Sequence, residues 1–287
     1  MSSNLVSAKV ICDSIPTYAT SISQRRYKRL TTLEVTMHRF ILAEFNTHRV
    51  FSRNSASSRA IPVQKIIQRI IDAPAIPVHW GLNQKGMRAD QELSAADAAR
   101  AQGLWLEARD NAISSVRELI ALGVHKQVAN RLLEPFMYHV AVVTATEWEN
   151  FFAQRIHPDA QPEMQLLASK IKEAYDASTP VVLEPWEYHL PYITSADLEV
   201  YSKSDHILCK LSAARCARTS YLTHDGVRDT SADVDLFNRL RNQKPPHASP
   251  FEHVARPRDP GESKTGNLVG WKQYRHVLQM DEFPYEH

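Results

Sequence analysis

The sequence predicts an α+β chain, with short strands near the N-terminus followed by long helices. Residues 5–12, Leu-Val-Ser-Ala-Lys-Val-Ile-Cys, read as a strand. So do residues 31–37, Thr-Thr-Leu-Glu-Val-Thr-Met, with period-two alternation. The third observation is a capped stretch from Ser94 to Gly123 with apolar residues at helical spacing. At 287 residues the chain can bury a sizeable core as one large domain or two ordinary ones.

Between the two strands, the polar stretch 21–30 carries four Arg or Lys and reads as a loop. From His38 to about Asn46 the pattern turns helical. Residues 46–59 read as a connection, and Pro62 starts a helix over 63–71. The stretch 72–92, with two prolines and scattered charges, reads as a surface connection. Ser94 and Asp97 then form a capping-box-like start. The helix they open runs through Trp105, Ala108, Ala112, Val116, Leu119 and Ile120 to Gly123, a scaffold helix without chemistry. A second helix lies near His125–Leu133, ahead of Pro135. The apolar stretch 138–143 precedes a helix through Trp148, Phe151 and Phe152 that ends at Arg155. Pro162 opens another helix to about Ala177. The stretch Pro180–Pro191 is proline-rich, and Gly270–His276 reads as helical.

Composition narrows the function classes. Apolar content of 43% and charged content of 23% are those of a globular protein, and no apolar run approaches a membrane span. No secretory signal is visible at Met1-Ser2-Ser3-Asn4, which points to the cytoplasm. A net charge of +2 excludes a strongly basic nucleic-acid coat but allows a local basic pocket. Cys12, Cys209 and Cys216 form neither a metal pattern nor a disulfide framework, and no metal is expected. Cys209 and Cys216 share an apolar helix face as inert core thiols.

The densest chemistry is in residues 46–59, Asn-Thr-His-Arg-Val-Phe-Ser-Arg-Asn-Ser-Ala-Ser-Ser-Arg. Arginine forks bind phosphate or a carbonyl bidentately, and hydroxyls supply further hydrogen bonds. A basic, hydroxyl-rich segment between packed elements suits a polyanionic ligand.

This segment resembles the Arg-His-Arg-x7-Ser signature of the flavin-dependent thymidylate synthases. His48-Arg49 is followed by Ser57 at the family's spacing, and Arg59 falls where the family has a further arginine. Thr47 replaces the first arginine. Arg131, four residues before Pro135, and Asn150-Phe151-Phe152-Ala153-Gln154-Arg155 resemble two nucleotide-site elements. Ala160-Gln161-x-Glu163 resembles the family's Ala-Gln-x-Glu, with Asp159 where a histidine is usual. Residues 211–221, Leu-Ser-Ala-Ala-Arg-Cys-Ala-Arg-Thr-Ser-Tyr, and 247–253, His-Ala-Ser-Pro-Phe-Glu-His, resemble two segments that ordinarily precede the signature. Here they follow it. The chain is therefore expected to be one catalytic domain, 1–287, with a mixed or antiparallel sheet, long helices and a circularly permuted order. Its blocks are 1–190 and 205–287.

The resemblance also implies roles. Arg155, Ser57 and His247 form the catalytic set, and Ser57, Arg59, Arg131 and Arg155 bind the pyrimidine nucleotide. His48, Arg49, Asn150, Ser220, His247, Ser249, Glu252 and Arg275 hold flavin adenine dinucleotide, FAD. Arg275 or Arg53 is expected to replace the missing arginine at the flavin diphosphate. The implied reaction transfers a one-carbon unit from methylenetetrahydrofolate to carbon 5 of dUMP, giving dTMP, with NADPH as reductant, in a homotetramer. A rival is a dUMP or dCMP hydroxymethylase, given Thr47, Asp159 and Glu44. A non-catalytic nucleotide- or RNA-binding module is a third reading, which leaves the flavin-side segments without purpose. No membrane or nucleic-acid polymer partner is expected.

Overall fold

Two strands written in β-branched and aliphatic residues set up the sheet. In the computed structural model, which describes residues 5–20, 28–202, 204–219, 229–264 and 266–280, β1 (Ser7–Pro16) and β2 (Leu30–His38) pair antiparallel. β3 (Ser52–Ser55) and β4 (Tyr138–Ala145) follow, then β5 (Val181–Leu183), in the sheet order β3-β4-β2-β1-β5. All pairings are antiparallel except β1 with β5, so the sheet is mixed and mostly antiparallel. Further on, β6 (Ala255–Pro257) and β7 (Trp271–Gln273) form an antiparallel pair.

Alternation along β2 buries Leu33, Val35 and Met37 on one face, against Trp148, Phe151, Met164, Leu167 and Ile171. Those residues come from the helical side. After α1 (Leu42–Phe45), α2 (Val63–Asp72), α3 (Ala95–Ala121) and α4 (Lys126–Ala129) come α5 (Glu149–Arg155) and α6 (Pro162–Ala177), both packed on the sheet. A second core joins α2, α3 and the 3-10 segment Asn130–Phe136 through Ile66, Ile70, Val116 and Leu133. After α7 (Ser195–Tyr201), a third core is built by α8 (Asp205–Arg218), α9 (Thr230–Asn242) and α10 (Tyr274–Val277), with Phe237, Leu240 and Phe251 at its centre.

The long helix forms as its caps require. The Ser94 side chain accepts from the Asp97 N–H, and Gly123 takes φ +84° just beyond the end. Its buried stripe contains Ile113 and Val116, whereas Ala108 is exposed, so the expected stripe is shifted by one position there.

Four expected elements take other forms. The helical stretch 38–46 is a 3-10 turn, Arg39–Ile41, followed by the single-turn α1. The connection 46–59 contains β3, whose polar residues carry no apolar alternation and adopt strand geometry by pairing with β4. The helix expected near 125–133 divides into α4 and the 3-10 segment, because Pro135 removes a donor from the last turn. The C-terminal helix expected at 270–276 is β7 followed by α10.

A buried polar chain joins the sheet to the later segments. The Ser14 hydroxyl meets His189 Nδ1 at 2.9 Å, and His189 Nε2 meets the Thr32 hydroxyl at 2.7 Å. Thr32 and Thr144 are 2.6 Å apart, and Thr144 meets His253 Nδ1 at 2.7 Å. Both imidazoles are fully buried, and burial lowers each pKa to about 3. Neutral histidine is thus favoured in the fold, while the unfolded chain takes up protons below about pH 6.5.

A buried ion cluster organises α7, α8 and α9. Arg215 donates to both Asp197 oxygens, at 2.7 and 2.9 Å, and to Asp233 at 3.0 Å. Arg218 donates to Asp233 at 2.6 Å. Hydrogen bonds from Arg215 hold the Asp197 carboxyl well below the usual carboxylate range. Burial raises the thiols of Cys12, to about 11, and of Cys209 and Cys216, which agrees with unreactive cysteines.

Two outcomes follow for stability. The urea midpoint is expected to fall steadily as pH drops from about 6.5 towards 3, by an amount equivalent to a few kcal/mol, roughly. A midpoint flat across that window would contradict neutral buried histidines. Arg215→Met should destabilise the chain by about 3–5 kcal/mol, because it removes the cation paired with Asp197 in the interior and leaves Asp233 to Arg218. Equilibrium denaturation measures it directly.

Candidate functional site

The signature turn is pinned by aromatic packing. Phe51 is buried with its ring centroid 4.6 Å from Trp148, 5.3 Å from Phe151 and 5.7 Å from Phe45. His48 stacks on Phe51 at 5.7 Å, and Arg49 stays exposed at the turn. β3 then runs along β4, where Gln273 Nε2 donates to the buried Ser52 hydroxyl at 3.0 Å. At the following turn Ser58 points inward and donates to Glu134 at 2.6 Å. Asn130 Nδ2 donates to the Ser58 carbonyl at 2.7 Å, which fixes the turn from below.

This arrangement brings distant segments together. A cavity of about 550 Å³ is lined by Arg53, Asn54, Ser55, Ser57 and Arg59 on one side and by His247 and Ser249 on the other, with His125 and Gln127 completing the wall. His247 and Ser249 are held there by the 3-10 turn Ser249–Glu252, whose Phe251 is buried and whose neighbour His253 is tethered to Thr144. The lining is rich in donors, with two guanidiniums and three hydroxyls, and the buried Asn54 Oδ1 has no hydrogen-bond partner among the described residues. Such a donor set fits phosphate oxygens.

Arg155 is not among the residues lining this cavity. Its Nε donates to His48 Nε2 at 2.9 Å and its Nη2 to the Thr47 hydroxyl at 3.1 Å, with Glu44 at 4.0 Å. A guanidinium has donors only, so His48 Nε2 must be an acceptor. Burial, then Arg155 and Arg53, lower the His48 pKa to about 4, which keeps that acceptor available. Thr47 occupies the position where a second arginine would place like charges together.

Other expected site residues are engaged elsewhere. Arg131 pairs with Glu134 at 2.8 Å, and Glu134 also accepts from Arg39 at 3.4 Å. Arg275 donates to Glu252, while Arg53 reaches the carbonyls of Phe45 and His48 and lines the cavity. Of the two arginines expected to replace the missing one, the cavity thus holds Arg53. Asn150 is exposed and accepts from Gln154 at 3.2 Å. Ser220 lies outside the described residues. His125 and Gln127 went unassigned from sequence. Their only signal was a helix start after Gly123, where His125 Nδ1 accepts from the Gln127 N–H.

The family model of the thymidylate synthase complementing protein matches residues 30–181. The chain belongs to this family. The match covers the signature, Arg131 and Arg155 and leaves segments 211–221 and 247–253 outside it. Among solved structures, the UMP/dUMP methylase PolB from Streptomyces cacaoi bound with 5-Br UMP is 16% identical, with a TM-score of 0.49 over 60% of this chain and 89% of that one. The same methylase bound with 5-Br dUMP is also 16% identical, with a TM-score of 0.48 over 60% of this chain and 90% of that one. No curated protein matches. Among the described residues no helix is long and apolar enough to cross a membrane.

The His48–Arg155 contact predicts a titration behaviour. Histidine NMR should show His48 neutral down to about pH 4. In Arg155→Met its pKa should rise by about one unit or more, since a donor and a cation are both removed. An unchanged His48 titration would mean that the contact does not form in solution.

Proposed function

We propose that this member of the family transfers a one-carbon unit from methylenetetrahydrofolate to carbon 5 of dUMP, using FAD, with NADPH as reductant. The observation that carries this reading is the shared cavity of Ser57 and Arg59 with His247 and Ser249, residues almost 190 positions apart in the chain. In the family's ordinary order, segment 247–253 would precede the strand that corresponds to β2, whereas here it follows that strand and leads into β6. Its position beside that strand, through His253, Thr144 and Thr32, supports the permutation.

In this reading Ser57 and Arg59, with Arg131, bind the nucleotide phosphate. Arg155, oriented by His48 and Thr47, forks onto the pyrimidine carbonyl oxygens and stabilises negative charge developing on the ring. Arg53, His247 and Ser249 fit the flavin side, with the donors that a diphosphate and a polar ring edge require. His48, Arg49, Asn150, Ser220, Glu252 and Arg275 belong to the same proposed set. Bound FAD supplies hydride and carries the one-carbon unit. The inert cysteines agree with a route in which no thiol adds to the pyrimidine. Among the described residues Arg155 does not line the cavity of Arg59, which is compatible with a site completed by neighbouring subunits of a homotetramer.

Incubation with FAD, NADPH, methylenetetrahydrofolate and either dUMP or dCMP, read by product mass, tests the reaction. Methylated dUMP is the expected product, and a hydroxymethylated nucleotide would replace this reading with the hydroxymethylase. Arg59→Ala and Arg155→Ala should each lower turnover by about a hundredfold or more while the protein keeps its flavin. Loss of flavin with unchanged nucleotide affinity would reverse the assignment of those arginines.

A further inference from the structure

Glu134 holds Arg131 at 2.8 Å, and Arg131 is not among the residues lining the cavity of Ser57 and Arg59. His125, the N-cap of α4, does line that cavity. Its position is set by bonds on either side of the short helix. Lys126 Nζ donates to the Ala60 carbonyl at 3.0 Å, and Asn130 Nδ2 donates to the carbonyls of Ser58 and Ile61 at 2.7 and 3.1 Å. These bonds tie α4 to the turn that carries Ser57 and Arg59. They also direct the Lys126 ammonium at backbone, and Lys126 is absent from the cavity lining.

The ring of His125 has one proton arrangement that fits its contact. Nδ1 accepts from the Gln127 N–H at 3.2 Å, so it carries no proton, and the neutral imidazole holds its hydrogen on Nε2. The helix-end N–H is thereby satisfied by the ring, and Nε2–H is the group left for a ligand. His125 is exposed, and Nε2 has no partner among the described residues. The charge of the lining decides what the donor meets. Arg53 and Arg59 contribute two guanidiniums, and no carboxylate stands among the residues that line the cavity. We infer that His125 Nε2–H donates to the phosphate of the pyrimidine nucleotide, beside the Arg59 guanidinium and the Ser57 hydroxyl. This rests on the reading of the cavity as the nucleotide's. The bond is charge-assisted from the phosphate side, although the ring itself is neutral.

The test uses the full chain with oxidised FAD and neither folate nor NADPH, so that binding is read without turnover. Equilibrium dialysis gives affinities for dUMP and for deoxyuridine, which lacks the phosphate. The chains compared are the unaltered one, His125→Ala, His125→Ser and Arg59→Ala. Serine is a good N-cap but too short to replace Nε2. Both His125 variants should bind dUMP more weakly by about tenfold or more, the size of one hydrogen bond to a charged group, with deoxyuridine affinity unaltered. Unaltered dUMP affinity in His125→Ser would reduce His125 to a cap and overturn the inference, as would an equal loss for dUMP and deoxyuridine. If dUMP binding is then still weakened in Arg59→Ala, the nucleotide reading stands without His125. Unaltered dUMP binding in Arg59→Ala as well would remove both. If deoxyuridine binds too weakly to measure, nitrogen NMR of the unaltered chain decides. The His125 Nε2 resonance must shift on adding dUMP, and an unmoved resonance at saturating dUMP overturns the inference.

Discussion

The structure depends on a chain of side-chain hydrogen bonds through its interior, from Ser14 through His189, Thr32 and Thr144 to His253. Each member is almost wholly buried, so the polar atoms that form the chain find their partners inside the protein. The chain crosses three neighbouring strands and ends in the turn that carries His247 and Ser249. Removing a middle member would leave two buried groups unpaired rather than one. The placement of the C-terminal segment against the sheet is therefore a matter of polar satisfaction as much as of apolar packing. Backbone bonds reinforce it, with His189 and Ala255 paired and the Trp271 indole donating to the Lys28 carbonyl at 2.8 Å.

The signature segment is held in a different way. Phe45, Phe51, Trp148 and Phe151 form an aromatic cluster under it, and β4 supplies the ladder beside it. The rigid part is apolar and hidden, while the residues that face the cavity are short hydroxyls and arginines. Adjacent residues divide the work. Ser57 and Arg59 face the cavity, whereas Ser58 between them is bonded inward to Glu134. A site built this way keeps its donors in position before any ligand arrives.

Much of this was legible in the sequence. The strands over 30–38, the capped helix from Ser94, and the helix opened by Pro162 were all signalled by periodicity and end residues. β3 was not, because Ser-Arg-Asn-Ser has no alternation and becomes a strand only against Tyr138–Ala145. α10 and β7 were merged because a three-residue strand is too short to reveal its period. For the candidate site, spacing and resemblance marked Ser57, Arg59, His247 and Ser249, and folding brings those four to one cavity. The His48–Arg155 bond and the sharing of Glu134 by Arg39 and Arg131 were invisible. Both depend on tertiary neighbours that local sequence does not encode.

The two outer edges of the sheet are protected unequally. β3 has a charged arginine and is covered by Asn267 and Gln273 bonded to Ser52. β5, at the opposite edge, leaves Val181 and Val182 more than half exposed, close in sequence to the exposed Trp186. An apolar strand with open backbone groups can recruit a strand from another molecule. Here the hazard is limited by length and by chemistry, since β5 spans three residues between Pro180 and Pro185. Proline cannot donate to a growing ladder, so the two prolines bound the register that an intruding strand could copy. They serve the chain as sentries against self-association.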